Sequence, residues 1–113
     1  MSMKIRSTRQ VNGITIVDLS GRITLGAGGV VLRDMMRDLV TKGQRKILLN
    51  LGDVTYIDHS GIGELVSAFT TARNQGGELK LLKLTKKVHG LLTKLYTVFD
   101  VKDDEATAVA AFK

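Results

Sequence analysis

No cysteine occurs among the 113 residues of this chain. Disulfides, thiolate catalysis and cysteine-ligated metals are thereby excluded, and the absence agrees with a reducing compartment. No apolar run approaches the ~18 residues that a membrane span needs. The opening stretch, Met1 to Gln10, alternates polar and apolar residues and carries Lys4, Arg6 and Arg9. It has none of the apolar core of a secretory signal, so a cytoplasmic location is the expectation. Aromatic residues make up only 4%, too few for a platform on which single-stranded bases could stack. A net charge of +6 raises the question of nucleic acid or an anionic membrane. The Lys and Arg residues are scattered, however, and the densest pairs are only Arg45-Lys46 and Lys86-Lys87. No direct nucleic-acid contact is expected; a basic surface equally steers a protein towards an acidic protein partner. The two histidines, His59 and His89, lie far apart in sequence and support no metal site.

What is present is one domain's worth of chain, residues 1–113. With 43% hydrophobic and 25% charged residues it has the make-up of a globular domain. A chain of this length can bury roughly two thirds of its unfolded surface around one core.

Hydrophobic periodicity divides the chain into elements. Residues 4–11 alternate, with Ile5, Ser7, Arg9 and Val11 on one face and Lys4, Arg6 and Thr8 on the other. That predicts a strand, and its charges suit a sheet edge. Asn12-Gly13 follows, the pair favoured in a type I′ hairpin turn because both residues tolerate positive φ. Ile14 to Leu19 forms the return strand, which Ser20-Gly21 is expected to break. Leu25 to Gly29 reads as a glycine-rich loop. From Val30 the spacing changes: Leu32, Met35, Met36, Leu39 and Val40 mark one face of a helix. Both methionines belong to that core face. Lys42-Gly43 supplies a cation and a terminal glycine to end it.

Lys46 to Leu51 is nearly continuous and apolar, as befits a strand covered on both faces. A loop over Gly52 to Asp58 is expected to lead into a helix whose inward stripe is Ile62, Leu65, Val66, Phe69 and Ala72. Gly76-Gly77 ends it. Glu78 to Leu84 predicts another buried strand. A further helix is expected through Val88, Leu91, Leu92 and Leu95, then a short strand over Val98 to Val101. A last helix runs from Asp103 to Phe112 with Ala106, Val109 and Ala110 inward. Strand–helix–strand repeats imply parallel neighbours joined by right-handed crossovers. The expected architecture is a small α/β domain, a mixed sheet of four to five strands with an N-terminal β-hairpin and about four helices.

The segment richest in chemistry is Asp58-His59-Ser60-Gly61-Ile62-Gly63-Glu64. It lies where a parallel strand would deliver the chain to a helix, the customary place for function in an open α/β sheet. Ser60 is expected to be the N-cap of that helix, with Glu64 adding a favourable interaction with the helix dipole. Gly61 and Gly63 are costly inside a helix, about 1 kcal/mol each relative to alanine. Their bare backbone would let a ligand, a phosphate or a partner come close. Asp58 either orients Ser60 or caps the turn. A hydrolase nucleophile is not indicated, because Asp58 stands where the first glycine of G-x-S-x-G belongs. His59, adjacent to Ser60, should point elsewhere. Neither Gly61–Gly63 nor the glycines at 26, 28 and 29 complete a dinucleotide fingerprint. The latter group does lie between a strand and a helix, which leaves weak nucleotide contact as an alternative. Lys86 and Lys87 read as solvated lysines or as holders of an anion.

Two stretches carry a family resemblance: Gly21-Arg22-Ile23-Thr24, and Ile47 through Gly63 with its hydrophobic strand followed by Asp58-His59-Ser60-Gly61-Ile62-Gly63. On these the chain resembles STAS domains of the anti-sigma-factor antagonist family over nearly its whole length. The resemblance implies a β-sheet with helices packed on one side. It implies a non-enzymatic module without a cofactor, phosphorylated at Ser60 by a partner serine kinase that doubles as an anti-sigma factor. A PP2C-type phosphatase would reverse the modification. The unmodified form would sequester the anti-sigma factor, and the phosphorylated form would release it. Partner contact is expected at Thr24, Asp58, His59, Ser60, Gly61, Ile62 and Gly63. Position 59 is often small in the family and position 24 often acidic, so His59 and Thr24 bear on which partner is recognised. The alternatives are an accessory STAS subunit of a lipid-transport ATPase, or a nucleotide or small-ligand sensor.

Overall fold

The structure is a computed structural model that describes residues 3–24, 27–85 and 101–112. A five-stranded mixed sheet runs in sequence order: β1 (Lys4–Val11), β2 (Ile14–Ile23), β3 (Lys46–Ile57), β4 (Glu78–Leu82) and β5 (Val101–Lys102). β1 and β2 are antiparallel and every later pair is parallel. Three helices stand among the described residues: α1 (Ala27–Thr41), α2 (His59–Asn74) and α3 (Glu105–Ala110). The helix expected through Val88 to Leu95, and with it Lys86, Lys87 and His89, lies outside the described residues.

The hairpin forms as the sequence predicts. Asn12 and Gly13 both take positive φ, 52° and 79°, the condition of a type I′ turn. β1 does not alternate cleanly, because its register with β2 shifts between Ile5 and Ser7. That bulge brings Arg6 to the same cleft as Ser7, Asp18, Asn50 and Asp53. Ser20-Gly21 does not end β2. The strand bends through a second irregularity there, with Gly21 at φ 94°, and continues to Ile23. β3 likewise absorbs the expected loop. Val54 and Ile57 are buried and hold residues 52–57 in the sheet opposite Ser20 to Ile23.

The main core lies between the sheet and the pair α1 and α2. Val17 and Leu19, Ile47, Leu49 and Leu51, and Leu79 and Leu81 meet Leu32, Met35, Met36 and Leu39 of α1 and Leu65, Ala68 and Ala72 of α2. Each large side chain fully buried here contributes roughly 1.5–3 kcal/mol. Val66, expected inward, faces solvent, because the buried face of α2 follows Gly61, Leu65, Ala68 and Ala72. The opposite side of the sheet is covered as well. Ile14, Ile16, Leu48 and Leu82 form a smaller cluster with Ala108, against which Val109 and Phe112 pack. Helices therefore occupy both faces rather than one. In α3 it is Ala108 that is buried, while Ala106 and Ala110 are exposed.

α3 is tied down by charge as well as packing. Asp18 accepts hydrogen bonds from Arg9 Nε at 2.8 Å, Ser7 Oγ at 2.5 Å and Asn50 Nδ2 at 2.7 Å. Arg9 also pairs with Glu105 at 2.8 Å, so one guanidinium bridges β2 and α3. Those hydrogen bonds hold the Asp18 carboxyl well below the usual carboxylate range, against the opposing effect of partial burial.

Candidate functional site

β2 and β3 end side by side, with Ile23 paired to Ile57. The chain then enters α2 through Asp58, whose backbone N–H donates to Ile23 O at 3.3 Å. Asp58, not Ser60, is the N-cap. Its backbone is extended (φ −97°, ψ −176°) and its Oδ1 accepts from Gly61 N–H at 2.7 Å. A carboxylate satisfies one of the helix's unpaired first-turn donors and also complements the dipole. Both Asp and Ser are capping residues. The strand settles which one is used, because Ile57 stays in the sheet and Asp58 is the first residue free to turn.

That one-cap displacement sets the rest of the site. His59 becomes the first helical residue and is exposed. Ser60 becomes the second and is half-buried, so its hydroxyl sits on the first turn without acting as the cap. Gly61 is buried, and its bareness serves the protein's own packing. A Cβ there would fall on the Ile23 carbonyl oxygen and come 2.8 Å from Ile57 Cγ2. Gly63 is the opposite case, exposed with open space where a Cβ would point. Ile62 is half-buried against the main core. Thr24, half-buried, directly follows Ile23. The structure thus gathers all seven expected residues, Thr24 and Asp58 to Gly63, at the carboxyl ends of β2 and β3.

Two side-chain pairs nearby escape a purely sequential reading. Arg22 lies over the Tyr56 ring, 4.8 Å from its centroid, because these residues are register partners on neighbouring strands. Glu64, expected to act on the dipole from near the helix start, lies in the second turn. Its Oε2 stands 3.2 Å from Arg33 Nε of α1. Between α1 and α2 runs a groove of about 410 Å³ lined by Arg33, Arg37, Glu64, Ser67 and Thr71 over a floor that includes Met36 and Ala68.

The positive charge is dispersed. Arg6, Arg9, Arg33, Lys42 and Lys80 each pair with a carboxylate. Among the described residues no group of three His, Cys, Asp or Glu is placed to hold a metal. No helix among them is long and apolar enough to cross a membrane.

Comparison with known proteins supplies context for this site. The pattern that defines the STAS domain matches residues 6–108. The anti-sigma-B factor antagonist of Bacillus subtilis is 32% identical over 87 residues, 77% of this chain and 74% of that protein. The anti-sigma F factor antagonist of Paenibacillus polymyxa is 26% identical over 99 residues, 86% of this chain and 85% of that protein. In structure, the chain is similar to a putative anti-sigma factor antagonist from Thermotoga maritima. The TM-score is 0.83 at 22% identity, over 94% of this chain and 92% of that one.

Proposed function

This chain belongs to the STAS domain family, and from that premise we propose that it is an anti-sigma-factor antagonist. Its work is binding rather than catalysis, and its partner is an anti-sigma factor. Two curated relatives that carry that name align over most of their own length. The partner surface is the turn between β3 and α2, with Asp58, His59, Ser60, Gly61, Ile62 and Gly63, and with Thr24 beside it.

Ser60 is the switch, phosphorylated by a serine kinase that is also the anti-sigma factor and restored by a PP2C-type phosphatase. One observation carries this reading: Asp58 rather than Ser60 caps α2. The helix start is held by another side chain, so Ser60 can be modified without forfeiting the cap. A phosphate adds about −1.5 to −2 charges. At a helix N-terminus such an anion is favoured by ~0.3–1 kcal/mol, so the fold tolerates it. The cost falls on the complex, where a dianion pressed into an interface built for a hydroxyl is desolvated and unpaired. Gly63 leaves its side of the first turns bare for close approach.

The test is a pull-down from the source organism's lysate with wild-type and Ser60→Asp baits, read by mass spectrometry. The reading expects a small serine kinase or anti-sigma factor held by wild type and lost with Ser60→Asp. Equal recovery of a transporter ATPase by both baits would contradict it.

A further inference from the structure

On the sheet face away from α1 and α2, a cavity of about 480 Å³ opens between the β1–β2 hairpin and α3. Small-molecule sites have volumes of about 300–1,000 Å³ and mostly apolar linings with a few polar groups. Here Val11, Ile14, Val109 and Phe112 supply the apolar lining, and Lys46 and Glu105 the charges. The cavity owes its existence to two alanines. Ala106 and Ala110 stand at i and i+4 of α3, on one stripe of the helix, and both line the space while exposed. A leucine at either position would reach into it. Val11, Val109 and Phe112 pack on the second cluster yet stay only half-buried. Covering the apolar surface they leave open is favourable.

The charged groups around the cavity differ in what they have left to offer. Both carboxylate oxygens of Glu105 accept from Arg9, at 2.8 and 3.3 Å, so Glu105 is committed. Lys80, whose Nζ stands 5.4 Å from the Phe112 ring centroid, pairs with Glu78. Lys46, half-buried at the start of β3, forms no ion pair among the described residues. The unspent charge is therefore one ammonium beside an apolar lining. Its complement is an apolar body with a single anionic head, and an ammonium receives a carboxylate as a compact point charge. A dianion would leave its second charge uncompensated in the cavity that Glu105 shares.

We infer that this cavity binds a small monocarboxylate with an aliphatic body, its head on Lys46 and its chain against Val11, Ile14, Val109 and Phe112. β2 and β3 run parallel, and Ile14 and Lys46 lie at their starts. Ser60 lies beyond their carboxyl ends. The ligand and a partner on the Ser60 turn therefore occupy opposite ends of the molecule. The inference does not depend on modification of Ser60. A ligand that touches both the hairpin and α3 ties the two together, and binding to the folded chain alone stabilises it.

The probe is octanoate, with octylamine as its cationic counterpart. Each is titrated into the isotope-labelled full chain, and the backbone amide signals are followed by NMR. The expected result is saturable shifts confined to the hairpin turn, the start of β3 and α3. Octanoate should bind several-fold more tightly than octylamine, the margin that one solvent-screened ion pair supplies. Lys46→Gln should erase that margin. Ala110→Phe, at an exposed position on the stripe that lines the cavity, fills the space without entering the core. It should weaken octanoate by about tenfold or more, the worth of a few lost methylene contacts, while the signals of α1 and α2 stay in place. Shifts that spread over the surface without saturating overturn the inference. So do equal affinities for the two probes, or undiminished octanoate binding in Ala110→Phe. None of these results touches the partner-switch reading, which fails only on partner binding.

Discussion

Gly61 rests on the backbone of Ile23, so closely that the first turn of α2 has no space for a side chain at that position. Asp58 donates to the same Ile23 carbonyl oxygen from its backbone N–H. The end of β2 therefore serves as the anvil against which the Ser60 turn is shaped.

The two glycines of this turn should behave oppositely. Gly61→Ala forces α2 away from Ile23 and is expected to cost roughly 1–3 kcal/mol of stability, as overpacking does. Gly63→Ala meets open space and removes a helix-interior glycine, so stability should rise by up to about 1 kcal/mol. Urea unfolding of both variants checks this. Equal effects would mean that Gly61 is not a packing glycine.

Asp58→Ala removes the cap and should cost about 1 kcal/mol, within the 0.5–2 kcal/mol range of lost caps. Asp58→Asn keeps an acceptor oxygen for Gly61 N–H and should recover most of it. Ser60→Ala should lose far less than Asp58→Ala, because Ser60 is not the cap. The same unfolding experiment reports all three.

Acid should weaken the fold through Asp18. Its carboxyl lies below the usual range in the folded chain because Arg9, Ser7 and Asn50 donate to it. A depressed carboxylate stabilises fully above its unfolded pKa of about 3.9, and that stability is lost as pH falls through the lower folded value. Thermal melts between pH 7 and pH 2 should therefore decline below about pH 4. Asp18→Asn should flatten part of that decline and lower stability near neutrality. An acid limb identical to that of wild type would rule out this role for Asp18.

Much of the fold could be read from residue spacing, and the misreadings have physical causes. Asn12-Gly13 defined the hairpin, and the spacing of Leu32, Met35, Met36 and Leu39 gave the buried face of α1. Ser20-Gly21 and Gly52-Asp53 looked like breaks because glycine is a usual strand terminator. Here the two pairs lie near one another across β2 and β3, where Ser20 is paired to Asp53. They take up a shared irregularity that only the register reveals. The covering of β3 on both faces was legible in the continuous apolar run of Lys46 to Leu51, with Ile47, Leu49 and Leu51 in one cluster and Leu48 in the other, but which helix covers the second face was not. Ala108 looks like any small helix residue until Leu48 and Leu82 are seen opposite it.

The site residues were visible as a segment, but their division of labour was not. Asp58 and Ser60 are equally good caps by type, and only the length of β3 chooses between them. Gly61 and Gly63 look alike in sequence, and only the position of Ile23 separates a packing glycine from an open one. Arg33 is distant from Glu64 in sequence, and nothing in a helical pattern announces a pair across two helices.

The central claim is that a phosphate on Ser60 controls partner binding. The most direct measurement is calorimetry of the partner recovered by the wild-type bait, titrated with unmodified chain and with chain carrying phosphoserine at position 60. The account predicts that the phosphorylated form binds at least about 100-fold more weakly, a loss of roughly 2.7 kcal/mol or more. Equal affinity of the two forms would contradict it.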